Sequence, residues 1–449
     1  MKKVLSVLVV LCLLFTLAAC VAEVPDSAPG GSGSSGGSQT DQGSGSGDSN
    51  SGGSNSGNGN SGTNGTGNGG SDANGGDNTF PGKIAIVTNT VDQNEEEYRS
   101  AQALQLKYGT DKVIHRTWPV RFSEEGEMMI SILQEIANDP EVFALVINQA
   151  VINTNAAVDK FREMRGDDVF IVYCLPAENP DDVAARADLV LEINHPLVGE
   201  SFVKQAKALG AETIAHYTFP RHMSVPLLAR RRDVMKAASE REGINFVELV
   251  APDPMADGGQ PATQMHITQD LPRQVEMLGV NTAFFGTNCG MQIPLINQVI
   301  ATGAIYPMPC DPSPYHGFPT ALGISARIPT GEFDPNSGAE IMRFRNLTEV
   351  ITATRAAINA QGAAGRLSTW QVPISMMFTT IGAGYAIEWI HGRVPQEVGV
   401  IDAAALDKLA QEYIIAGDGE ADGFDLTTYD IDGTKYSHFF LGLVDFLTY

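Results

Sequence analysis

The sequence predicts an α/β protein of two lobes, each built around a mainly parallel sheet, with a cleft between them. Three observations lead there. From Lys83 onward, short apolar runs alternate with amphipathic stretches, the pattern of repeated βαβ units. After His195-Pro196 the same pattern starts again, and each set has about the length of one Rossmann-like lobe. The ends of the apolar runs carry amides, hydroxyls and rings, which suits a site assembled from strand-end loops.

Lys83-Ile-Ala-Ile-Val-Thr-Asn-Thr90 reads as a strand ending in polar residues, followed by a helix over Glu95 to Tyr108. Val113 to Thr117 is a second strand, Glu124 to Asn138 a helix, and Val142 to Asn148 a strand entered through Pro140. Asn155 to Met164, Val169 to Cys174 and Leu189 to Ile193 continue the alternation and complete a first lobe over 81–195. The second lobe, 196–310, reads as a helix over Val198 to Leu209, a strand at Thr213 to Thr218, a helix over Pro226 to Glu242 and a strand at Asn245 to Val250. It continues with a helix over Leu271 to Leu278, a strand at Thr282 to Phe285, a helix over Gln292 to Ala301 and a closing strand at Ile305 to Met308. Residues 311–449 hold longer helices at Leu347 to Ala360, Met376 to His391 and Ala403 to Tyr413, expected to supply the crossovers and complete both lobes.

The 80 residues before this region do not read as fold. Lys2 and Lys3 precede an apolar run from Val4 to Leu17, too short to span a bilayer, so residues 1–20 read as an export signal. Residues 21–80 are nearly all Gly, Ser, Asn, Asp and Thr, and cannot bury enough apolar surface to offset the entropy of ordering. Such a tether of about 60 residues has a reach of about 40 to 47 Å. With 29 Lys and Arg against 53 Asp and Glu, the formal charge is −24, which disfavours binding to nucleic acid or to anionic lipid surfaces.

Leu17-Ala18-Ala19-Cys20 resembles the lipobox of bacterial lipoproteins, which implies a Cys20 diacylated with palmitate-type chains as the sole membrane anchor. The lipobox, the tether and a first strand opening two tandem lobes resemble a type I periplasmic-binding-protein lipoprotein. Asn148-Gln149-Ala150, His216 to Met223 and Thr287 to Gln292 are similar to a bacterial lipoprotein family whose domain has no assigned function. That resemblance implies a cell-membrane protein facing outward, bound to a small-molecule ligand and served by an ABC-type permease.

Strand ends supply the candidate ligand contacts: Asn89, Asn148, Gln149, Tyr173, Tyr217, Arg221, His222, Asn288, Met291, Gln292 and Asp311. Competing roles are set beside them. Asn after a strand commonly caps a helix, which is the preferred reading for Asn89 and an even alternative for Asn148. Arg221 has an equal claim to a salt bridge with a surface acid, and Tyr217 to a place in the core. Asn288, at a glycine turn opening a helix, is the strongest single candidate.

No P-loop, H-E-x-x-H or C-x-x-C occurs, and no spacing of acids selects an acid/base pair, so no catalytic residue, cofactor or metal is expected. Asp418 to Gly423 has a calcium-loop start, but Tyr429 stands where the bidentate Glu belongs, so an acidic turn is the reading. Cys174, Cys289 and Cys310 read as buried small hydrophobes, with a Cys289–Cys310 pair as an alternative; His222, Cys289, Cys310 and His316 have no ligand-like spacing. The function these features favour is capture of a small polar or partly aromatic solute for a permease. The alternatives are a ligand sensor for a membrane receptor and, less favoured, a surface hydrolase. Nothing in the sequence fixes the oligomeric state.

Overall fold

The structure is a computed structural model that describes residues 79–91, 93–325, 327–333, 337–417 and 423–449. The expected export signal, the tether, Cys20 and residues 418–422 of the acidic turn lie outside the described residues. The first set of elements is β1 (Lys83–Thr88), α1 (Glu95–Tyr108), β2 (Val113–Thr117), α2 (Gly126–Ala137), β3 (Val142–Asn148), α3 (Thr154–Arg165), β4 (Phe170–Cys174), α4 (Pro180–Ala184) and β5 (Leu189–Ile193). The second is α5 (His195–Ala208), β6 (Thr213–Thr218), α6 (Pro220–Met223), α7 (Pro226–Glu242), β7 (Asn245–Val250), α8 (Gly259–Leu278), β8 (Thr282–Gly286) and α9 (Gln292–Thr302). There follow α10 (Phe318–Ala321), β9 (Arg327–Phe333), β10 (Glu340–Phe344), α11 (Leu347–Ala360), β11 (Ser368–Trp370), α12 (Ile374–Ile390), α13 (Ala403–Ala416), β12 (Phe424–Ile431), β13 (Thr434–Val444) and β14 (Phe446–Thr448).

The first lobe is a seven-stranded sheet in the order β12-β13-β5-β4-β3-β1-β2, parallel except where β12 pairs antiparallel with β13. Its central strands are apolar at consecutive positions because both faces are covered. Ile84 and Ile86 face one core with α1 and α12, while Ala85 and Val87 face another with α2 and α3. Helix α12 is buried along most of its length and lies over β3 and β4, close enough that a Cβ on Gly382 would sit 2.9 Å from Val172 Cγ1.

The second lobe has the parallel order β7-β6-β8, extended by bridges from Ala283 to Ile305 and from Tyr306 to Leu367, with β11 and β14 paired antiparallel beyond. Ile305 and Tyr306 thus make bridges where a strand over Ile305 to Met308 was expected. The helix expected at Leu271 to Leu278 starts twelve residues earlier, at Gly259. Pro272, which favours a first helical turn, sits inside it.

The chain passes between the lobes three times, at β5 to α5, β11 to α12 and β13 to β14. These passages are stitched together: Asn194 N donates to Gly442 O at 2.9 Å and Gln371 N to Asp445 O at 3.2 Å. Among the described residues, no helix is long and apolar enough to cross a membrane.

Candidate functional site

Sheet order places the site before any side chain is considered. In the first lobe the order reverses between β1 and β3, and in the second β6 is flanked by β7 and β8, so the loops after these strands open a crevice at the carboxyl ends. The loops meet around a cavity of about 450 Å³, with a neighbour of about 440 Å³ that shares Phe122, Gln149, Met255, Asn288 and Cys289 with it. Both sizes lie in the range of small-molecule sites.

Gln149, Arg221, His222, Asn288 and Asp311 line the first cavity, and Asn89 lines the second. Gln149 spans the floor: its Oε1 accepts from Asn89 Nδ2 at 3.4 Å and its Nε2 donates to Asp311 Oδ2 at 3.4 Å. Asn288 caps the turn after β8, its Oδ1 accepting from Gly290 N at 2.9 Å. Arg221 is paired with Asp253, and burial together with that Arg holds His222 down to about 3.

Five expected contacts lie elsewhere. Asn148 is wholly buried and ties β3 to α12, its Nδ2 donating to Thr379 Oγ1 at 2.7 Å and Ser375 O at 2.9 Å. Asn148 is the last residue of β3 and points inward, while Gln149, just beyond the strand, lines the cleft. Tyr173 is enclosed between β4 and the helices on its outer face, and Tyr217 is in the second lobe's core with its hydroxyl donating to Asp270 Oδ2 at 2.8 Å. Met291 fills the same core. Gln292 is buried, its Nε2 donating to Gly286 O at 3.1 Å and Asn288 O at 2.6 Å, while its Oε1 accepts from Tyr306.

Several cavity groups were not anticipated. Arg231, 1% exposed, lies over the Phe285 ring and donates through Nη1 to His195 Nδ1 at 3.2 Å and Cys310 O at 3.3 Å. Because His195 Nδ1 accepts, its proton is on Nε2, which faces Glu192 Oε1 at 3.4 Å. Burial keeps His195 neutral and pushes Glu192 well above the usual carboxylate range. Leu227, Arg231, Met235 and Ala238 form the buried stripe of α7 at helical spacing, and that period is the signal that marks Arg231 as inward-facing.

Beneath the floor, the wholly buried Glu97 accepts from Asn94 Nδ2 at 2.7 Å and Asn89 Nδ2 at 3.2 Å. Burial, reinforced by Asp311, raises its carboxyl well above the ordinary range. Next to it, one ligand-type atom each from Cys289, Cys310, Asp311 and His316 fall within 4.8 Å of one another. Cys289 and Cys310 are free thiols. Cys310 is buried and Cys289 packs against the same core, as the reading of small hydrophobes expects, but both also face a carboxylate or an imidazole, and three of the four residues with no ligand-like spacing are neighbours. His222 is not in that group, while Cys174 is a buried core thiol.

Residues 82–368 match the family described as "Protein of unknown function (DUF3798)". The chain belongs to that family. Among its relatives, an uncharacterized protein of Treponema pallidum (strain Nichols) is 34% identical over 142 residues, 32% of this chain and 64% of that protein. The chain therefore spans just under two thirds of that relative. In structure, this DUF3798 chain is similar to a candidate transcriptional regulator from Clostridium difficile 630, at a TM-score of 0.62 and 17% identity, over 83% of this chain and all of that one. An ABC transporter periplasmic solute-binding protein from Actinobacillus succinogenes 130z, with bound D-allose, matches at a TM-score of 0.44 and 13% identity, over 69% of this chain and 92% of that chain. The fold of the DUF3798 chain is an α/β fold shared with that Clostridium difficile chain, with three passages joining two parallel-sheet lobes.

Proposed function

We propose that the protein is an extracytoplasmic solute-binding lipoprotein, held at the cell membrane by a diacylated Cys20, that captures a small polar or partly aromatic molecule and delivers it to an ABC-type permease. The observation that carries this reading is the crevice at the strand ends, walled by Gln149 from one lobe and Arg221, His222 and Asn288 from the other. Amide and imidazole groups orient a polar solute, and hinged lobes exclude water around it. The lipobox and tether support display of this cleft outside the membrane.

The test is a thermal-shift screen of the full chain against sugars, nucleosides, amino acids and vitamins. A true ligand at 100 times its Kd adds about 2.7 kcal/mol of stability, and the shift should shrink in Asn288→Ala and Gln149→Ala. Stabilisation that is indifferent to both substitutions would place binding outside the cleft and sink this reading. Anchoring is read separately, as incorporation of labelled palmitate that disappears in Cys20→Ala.

A further inference from the structure

We propose that Cys289, Cys310, Asp311 and His316 bind a divalent metal ion of the zinc class in four-coordinate geometry at the wall of the cleft. This goes beyond solute capture and holds whichever molecule fills the cavity. The sequence separates the donors into two loops, one opening at β8 and one between α9 and α10; the fold brings them to a single point.

The first support is geometric. With zinc–sulfur bonds of about 2.3 Å and zinc–nitrogen or –oxygen bonds of about 2.0–2.1 Å, a tetrahedron sets its two sulfurs about 3.8 Å apart and each sulfur about 3.5 Å from a nitrogen or oxygen. Cys289 Sγ and Cys310 Sγ are 3.7 Å apart. Cys310 Sγ is 3.6 Å from His316 Nε2 and 3.6 Å from Asp311 Oδ2, and Cys289 Sγ is 3.2 Å from the same carboxylate oxygen. Four of the six donor-to-donor distances thus match the edges of a coordination tetrahedron and all six lie within 4.8 Å, whereas a disulfide would require the sulfurs to close to about 2.05 Å.

Donor chemistry narrows the ion. Two thiolates with an imidazole and one carboxylate suit zinc and its borderline-soft neighbours, while calcium and magnesium need shells of oxygen. The outer contacts have the form of a metal site as well. His316 turns Nε2 toward Cys310 and Nδ1 toward Glu96 Oε2, 3.5 Å away, the carboxylate–imidazole–metal relay that fixes ring orientation. Glu96 in turn accepts from the Ser313 hydroxyl, and it is 3% exposed, so the relay is buried. Asn94 Nδ2, 3.9 Å from Cys289 Sγ, and Arg231, which holds Cys310 O, brace the sulfur ligands. Cys289 and Asp311 also line the first cavity, so the ion sits against the cleft and not in a sealed core.

Binding expels the two thiol protons as both sulfurs bond the metal. The experiment is titration of the full chain, reduced and handled without oxygen, with Co²⁺ and then with Zn²⁺ against a chromophoric chelator. The expected result is one metal per chain, a near-ultraviolet sulfur-to-cobalt charge-transfer band, and displacement of Co²⁺ by Zn²⁺. The band should vanish in Cys289→Ser/Cys310→Ser and weaken in His316→Gln, with circular dichroism verifying that each variant is folded. Glu96→Gln should lower zinc affinity about 10- to 100-fold, the usual effect of losing a partner behind the ligand. A missing band, a band undiminished in the folded double serine variant, or a Cys289–Cys310 disulfide recovered from the anaerobic protein would each overturn the proposal.

Discussion

Arg221 grips Asp253 through two hydrogen bonds of 2.8 Å, Nε to Oδ2 and Nη2 to Oδ1, joining the first turn of α6 to the loop after β7. The same carboxylate accepts from Met255 N at 2.9 Å. Burial favours a protonated Asp253, but the Arg221 fork and the Met255 N–H outweigh it and hold the acid below its ordinary range. The guanidinium is therefore held at the cleft rim, with two of its five N–H donors engaged before a solute arrives. Arg221→Ala should cost about 1–3 kcal/mol of stability, the range for stranding a half-buried charged partner. Arg221→Lys should recover only part, because an ammonium cannot form the fork. Urea midpoints at constant slope would show both.

Asn148 and Gln149 are neighbours with opposite duties, and substitution separates them. Asn148→Ala removes the donor to Ser375 O and Thr379 Oγ1 and should lower stability by about 1–3 kcal/mol, leaving solute affinity of the folded protein unchanged. Gln149→Ala should lower affinity with a smaller change in stability. Calorimetric titration with the screened solute, alongside chemical unfolding, reads both; reversed effects would move the cleft floor.

Gly382 is required by packing. A methyl there meets Val172 Cγ1 at 2.9 Å, and Leu191 Cδ1 stands 3.6 Å away. Gly382→Ala should destabilise by about 1–3 kcal/mol through overpacking. Val172→Ala in the same chain should restore part of that loss, a coupling that a double-mutant cycle measures directly.

Acid should weaken the fold through histidines buried in neutral form. Burial, with Arg116 nearby, lowers His115 to about 4; burial and Arg221 lower His222 to about 3. Both depart downward from the usual value of about 6.5. Between about pH 6.5 and 3 the unfolded chain takes up protons that the folded chain refuses. Their stabilising effect is therefore complete above pH 6.5 and lost as pH falls through that window. Glu97 and Glu192, raised by burial, act with the opposite sign, favouring the fold at low pH and weakening it as pH rises. Unfolding free energy measured against pH should show a shallower acid limb in His115→Gln; an unchanged limb would remove His115 from the account.

How much of this was legible follows from what each pattern constrains. Apolar runs located β1, β3 to β6 and β8 because those strands are covered on both faces, and the partly exposed edge strands β2 and β7 through shorter runs such as Phe246-Val247. The β12–β13 hairpin and the β9–β10 pair escaped notice, since Phe424 to Ile431 and Arg327 to Phe333 are mostly exposed and have no continuous apolar run. The strand-end rule brought Gln149, Arg221, His222, Asn288 and Asp311 to the cavity wall. It also admitted Asn148, Tyr173 and Tyr217, because one residue of register separates the cleft from the core and only the pairing fixes it. Arg231 was readable from helical spacing. The cluster of Cys289 with Cys310, Asp311 and His316 was not, because two separate loops converge there and no local spacing records their meeting.

The three stitched passages between the lobes have a consequence for motion. Covalent threads running side by side through Asn194, Gln371 and Asp445 resist sliding and separation of the lobes, leaving rotation about their common line as the compliant movement. Such a linkage behaves as a door on three pins: opening angle becomes a single coordinate. A distance between one label on α4 and another on α6 would then report the whole movement, as one gauge reads a one-axis mechanism.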